Sequence, residues 1–167
     1  MKGGEFELRI YDCNGRLKEI RRSHNTMTTN GINYIADRWR NRSNVKELST
    51  GSGWIAVGCG SGPISAADIT LGSEVCWASG GRMKCSSVSR GTTSTQLVCA
   101  ANFSTSGAIW PTINETGIFV TGYDTTDTLQ VADSGPDTGL MICRATFADV
   151  NKTGSDTMSV IWKLNMT

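Results

Sequence analysis

A single histidine, His24, occurs in the 167 residues of the chain, and that scarcity removes most arrangements that catalyse acyl transfer. A Ser-His-Asp or Cys-His set must use His24, which ends a segment patterned as a strand and has no nucleophile motif beside it. A turn or surface histidine is the plainer reading. Net charge is nearly absent as well. The 16 basic and 15 acidic residues leave +1, so no global field draws the chain to nucleic acid or anionic lipid. Only Lys18 to Arg22 and Arg38 to Arg42 are locally basic, and with no stacking aromatic beyond Trp39 each reads as a solvated face. The first residues lack an apolar run of signal-peptide length, and nowhere do the roughly 20 apolar residues needed to span a bilayer follow one another. The expectation is synthesis and folding in a cytoplasm, with no membrane and no nucleic acid as partner.

Motifs for metals and phosphates are missing too. Six cysteines stand at positions 13, 59, 76, 85, 99 and 143, but no pair has CxxC spacing, so a zinc site must gather distant ligands with only His24 to help. Free thiols, largely buried, are expected in place of a metal or disulfides. The glycine-rich string GSGWIAVGCGSG lacks the Gly-Lys-Ser/Thr of a phosphate loop, which leaves turn and bulge glycines. Glu74 and Glu115 are the carboxylates considered as a glycosidase-like pair. Nothing in the sequence brings them together, and solvated or turn-capping carboxylates are the plainer reading. No catalytic residue, cofactor or metal ligand is expected, and the chain reads as non-enzymatic.

Alternation is what the sequence has in quantity. Phe6, Leu8 and Ile10 alternate with Glu5, Glu7 and Arg9, the period of a half-buried strand. Asn14-Gly15 then supplies a type I′ hairpin turn into LKEIRRSHN. Thr28, Thr29 or Asn30 can cap a short amphipathic helix from Gly31 to Arg40, with Ile32, Ile35, Ala36 and Trp39 as its apolar stripe. WIAVGCG reads as a strand. The following SGPISAADITLGSEV reads as a structured crossover in which Ser65 and Asp68 form a capping-box-like pair and Leu71 and Val75 anchor on the core. From Arg82 onward RMKCSSVSR, TQLVCAANFS, INETGIFVTG, GLMICRATFADV and TMSVIWKLNM alternate almost continuously. In the last of these Met158, Val160, Trp162, Leu164 and Met166 share a face.

The whole is predicted to be mainly β: an antiparallel β-sandwich or flattened barrel, jelly-roll-like, with one short amphipathic helix after an N-terminal hairpin. One domain spans residues 1–167, and residues 1–27 form a hairpin free to project and pair with a neighbour's edge strand. Trp54, Trp77 and Trp162 are read as core. Trp110, before a proline in SGAIWPTINETG, is read as core or as a half-exposed anchor for a neighbouring subunit.

Several strings in order, HNTMTTNGINYIADRW, WIAVGCGSGPISAADITLGSEV, INETGIFVTG and LMICRATFADVNKTGSDTMSVIWKLNM, resemble a class of small tailed-bacteriophage virion structural proteins. The resemblance runs from about residue 5 onward and departs at CWASGGRMKCSSVS and in the loop between Tyr123 and Gly139. It implies a capsid decoration or cement protein, a homotrimer that clamps the major capsid protein of the phage head and is located in the virion. The alternatives it leaves open are a tail or fibre-base structural module and a carbohydrate-binding adhesion module, with Trp110 and Tyr123 as the stacking aromatics. Trp110, Tyr123, Arg21 and Arg22 are the candidate partner contacts.

Overall fold

The computed structural model describes residues 4–40, 47–60, 62–75, 82–93, 95–104, 110–121, 124–125, 129–130 and 139–165. Two five-stranded antiparallel sheets face each other, so the architecture is a sandwich and not a closed barrel. The first sheet runs in the order β2 (Leu17–His24), β1 (Glu5–Tyr11), β12 (Thr157–Asn165), β7 (Gln96–Phe103) and β6 (Ser87–Arg90). The second runs β3 (Thr26–Met27), β11 (Leu140–Lys152), β8 (Trp110–Val120), β4 (Gly53–Gly58) and β5 (Arg82–Lys84). A separate small ribbon joins β9 (Asp124–Thr125) to β10 (Leu129–Gln130).

Alternation places the first sheet as expected. Phe6, Leu8 and Ile10 of β1, Cys99, Ala101 and Phe103 of β7, and Met158, Val160, Trp162 and Leu164 of β12 are all buried in one cluster with residues of the second sheet. Their odd-even partners face outward, half-exposed or exposed for the most part. The second sheet behaves differently. Positions 116–120 of β8 and 140–145 of β11 are buried without a break, because both faces of this sheet are covered. Its inner side packs on the first sheet. Its outer side carries Ala56, Phe119 and Met141 beneath Leu71 of the crossover, so Leu71 anchors where the sequence put it.

The N-terminal hairpin does not project. β1 is hydrogen-bonded on both sides, to β2 and to β12 in a seven-residue register from Glu5↔Lys163 to Tyr11↔Thr157, and only β2 is an edge. The turn also differs from a two-residue type I′ loop. Gly15 N–H donates to Asp12 O and Asp12 N–H to Arg16 O, Gly15 has φ +76°, and the Asp12 carboxylate accepts from the Asn14 and Arg16 amides. This is a three-residue loop with a glycine bulge, stabilised by an Asp that the dipeptide reading did not use.

RMKCSSVSR, expected as one strand, is two. β5 pairs with β4 in the second sheet and β6 with β7 in the first, and the chain crosses between sheets at buried Cys85. The helix α1 (Thr29–Trp39) is capped by Thr28, whose Oγ1 accepts from Gly31 N–H at 3.0 Å and donates to Met141 O at 2.6 Å. Its buried face is Gly31, Tyr34 and Ile35. Ile32, Ala36 and Trp39, predicted to face the core with Ile35, are exposed. The reason is the close approach at Gly31, where a Cβ would stand 2.2 Å from Ile142 O. The only residue without a side chain fixes which side of the helix meets β11, and periodicity cannot see that.

Candidate functional site

The densest polar cluster among the described residues lies on the outer face of the second sheet, where a single carboxylate holds the crossover of residues 59–75. Glu115 of β8 is fully buried. Its Oε1 accepts from Gly60 N–H at 2.9 Å and Ser73 N–H at 2.8 Å, and its Oε2 from Gly72 N–H at 3.0 Å and from Arg144 Nε and Nη2 at 3.1 and 2.7 Å. Arg144 of β11 spends its remaining nitrogen on Asp68 at 2.7 Å. Asp68 also accepts from Ser65 N–H, while Ser65 Oγ accepts from Ala67 N–H. The capping-box-like pair is therefore real, and it closes a turn instead of starting a helix. Gly58 and Gly60 each sit where a Cβ would come within 2.5 Å of Glu115 Oε1.

The two glutamates considered as a pair do flank one residue, since Gly58 pairs with Glu115 on one side and bridges Glu74 on the other. Each has its own arginine. Arg82 takes both oxygens of Glu74 at 2.8 and 3.0 Å and stacks 3.5 Å over the Phe119 ring, and Trp54 lies half-buried beside Lys84. Burial alone would raise the Glu115 carboxyl, but the Ser73 and Gly72 amides, the Arg144 guanidinium and the Gly60 amide hold it below the ordinary glutamate value. A carboxylate kept ionised and saturated with donors has no proton to give at neutral pH. The chemistry of this cluster is that of a joint.

Acid should loosen it. Burial opposes ionisation of Asp68 as well, and the Ser65 amide and Arg144 outweigh it, so Asp68 lies below its ordinary 3.8 and Glu115 below its ordinary 4.5. Asp156, held by Lys18 and Thr153, falls to about 2 against the opposing effect of burial. Depressed carboxylates contribute stability that is present above their unfolded values and is lost as pH falls through the folded ones. Hydrogen exchange at the Gly60, Gly72 and Ser73 amides is expected to stay slow at pH 7, after correction for intrinsic rates, and to accelerate as pH falls below about 4. Protection unchanged at pH 2.5 or so would refute the role given to Glu115.

The candidate partner contacts are not gathered. Arg21 points to the sandwich edge, where it pairs with Glu19 and donates to the Ala148 and Asp149 carbonyls at 3.4 and 3.2 Å. Those carbonyls become available because β11 breaks register between Thr146 and Val150. The same bulge sets Phe147 4.9 Å from Phe6, so Arg21 ties one sheet to the other. Arg22 lies on the opposite face of β2 and pairs with Glu7, which Arg9 also holds. Trp110 opens β8 opposite Lys152. Its side chain, like Tyr123 and Trp77, lies outside the described residues.

Cys85, Cys99 and Cys143 are buried and Cys13 and Cys59 exposed, all five as free thiols; Cys76 lies outside the described residues. Burial pushes Cys143 up to about 12, and contact with Cys85 together with burial raises Cys99 further. A thiol reagent at pH 8 is expected to label Cys13 and Cys59 in the native protein, and Cys85, Cys99 and Cys143 only after unfolding. Peptide mapping that found Cys99 labelled as fast as Cys13 would contradict this packing. Among the described residues no group of three or more His, Cys, Asp or Glu is placed to hold a metal, and no helix is long and apolar enough to cross a membrane.

Sequence reasoning assigned no role to Arg144 and read Asp68 only as a local turn partner. The signal was present as a lone charge inside an otherwise apolar string, Glu115 in INETGIFV and Arg144 in LMICRATF. In a strand buried on both faces, such a charge needs a partner. No protein-family model matches the chain, and no curated protein matches its sequence.

Proposed function

We propose that this chain is a non-enzymatic structural component of a tailed-phage virion, a decoration or cement protein that binds the major capsid protein of the assembled head. One observation supports the reading. The residues that carry the resemblance meet at the joints of a single fold: Thr28 caps the helix, Gly31 lets it approach β11, Asp68 and Leu71 fix the crossover, and Glu115 and Arg144 lock it. Residues at such joints preserve an architecture, and the resemblance is then a resemblance of scaffold, with the contacts to the particle made by the open face and edges around it. That scaffold leaves the outer face of the first sheet uncovered, a mixed surface on which Ser159, Ile161 and Lys163 of β12 lie beside Val98 and Ala100 of β7.

The experiment is binding of the purified chain to assembled, expanded heads, to unassembled capsid protein and to tails of the particle that carries it. Saturable binding to heads alone is expected, because a site shared by several subunits offers its full contact area only once they are in place. Binding to tails alone would replace this reading with a tail or fibre-base module.

A further inference from the structure

The exposed side of α1 carries an apolar stripe that the fold does not use. Ile32, Ala36 and Trp39 share one face at 3.6 residues per turn, and Ile32 is 45% and Trp39 76% exposed. Beside Trp39, between the helix and the end of the sandwich, lies a pocket of about 300 Å³, the size at which small-ligand sites begin. Tyr34, Ile35, Leu48, Leu97, Ile142 and Leu164 line it, so its walls come from the helix and from both sheets. Its rim carries one ion pair, Arg38 with Glu47 at 2.8 Å, which leaves the mouth without net charge.

We propose that this end of the molecule is a self-association surface, in which Trp39 of one copy enters the apolar pocket of a second copy and receives that copy's Trp39 in return. The argument is the pairing of a knob and a hole within one patch. A twofold contact places the same patch on both sides and therefore requires it to be self-complementary. An exposed indole next to an apolar pocket wide enough for it, under a rim with no net charge to repel its own copy, meets that requirement. A foreign partner would need only the knob or only the hole. One face of an 11-residue helix offers much less than the roughly 800 Å² per partner that stable dimers bury. The association is accordingly weak and reversible in dilute solution, and grows where copies are held close together.

The inference does not depend on the virion reading, and its test needs no particle. Sedimentation of the full chain in reducing buffer, so that exposed Cys13 and Cys59 form no crosslinks, is followed over a roughly hundredfold range of concentration. A monomer–dimer equilibrium is expected. Trp39→Ala removes the knob and Leu48→Arg blocks the hole, and each should weaken dimerisation roughly tenfold or more. Thermal unfolding serves as the control, since Trp39 contributes little to the core. An equimolar mixture of the two variants retains one intact insertion and should recover part of the association. A monomer at every concentration, dimers indifferent to both substitutions, a mixture no better than its components, or a trimer in place of a dimer would each overturn the reciprocal contact.

Discussion

Removal of residues 1–24 is expected to abolish the cooperative fold. β1 is the second strand of five in its sheet, and its loss strips the ladder from one whole side of β12. Phe6, Leu8 and Ile10 are 1%, 0% and 0% exposed, and burying each such side chain is worth about 1.5–3 kcal/mol. The loss from these three alone, about 5–9 kcal/mol, is as large as the whole stability of many domains. Also lost are the Lys18–Asp156 pair, the Arg21 bridge to β11, and the rings that pack on Phe147 and Trp162 from Phe6. Circular dichroism and calorimetry of the truncated chain would check this. A sharp unfolding transition with native strand content would show that the hairpin is an appendage after all. The consequence for function is direct: a role for the hairpin in binding a particle cannot be tested by deleting it, and must be tested by substitutions on the open edge of β2.

Glu115→Ala is expected to cost about 3–5 kcal/mol, the usual loss when one partner of a buried ion pair is removed. The cost arises from what stays behind. The Arg144 side chain is 5% exposed and would be left buried with only Asp68 to balance it, while the Gly60, Gly72 and Ser73 amides would lose their acceptor. Glu115→Gln should cost less, because it keeps an oxygen for two of those amides while removing the charge. Chemical denaturation at pH 7 reads the difference, and hydrogen exchange over residues 59–75 reads its location. A loss below about 1 kcal/mol for the alanine variant, typical of a surface ion pair, would mean that water reaches this cluster and that the crossover is held by Leu71 alone.

The alternation in β1, β7 and β12 was legible because the first sheet has one dry face and one wet one, so a period of two is written directly into Phe6-Leu8-Ile10 and Met158-Val160-Trp162-Leu164. It was less legible in the second sheet. With both faces covered, INETGIFV and LMICRATF carry no wet face to mark the register, and their charges read as loop signals instead of buried ligands. RMKCSSVSR kept its alternation through a sheet crossing at Cys85 because each half alternates on its own sheet. The helix was found by its cap and its spacing, and its orientation was misjudged because both candidate stripes are apolar.

What the sequence determined by itself is the class of fold, the presence and place of the helix, the hairpin, the anchored crossover and the inward face of the first sheet. Each follows from local chemistry: a period set by the pleat, an oxygen that can cap, a glycine that can turn. Only the tertiary structure decided that the hairpin lies inside a sheet, that Glu115 and Arg144 lock the crossover, and that Trp39 faces solvent beside an apolar pocket. These depend on which strands become neighbours and on how closely two backbones approach, as at Gly31 over Ile142 O. Pairing partners far apart in the chain are selected by packing of the whole core, and no local pattern of residues encodes that selection.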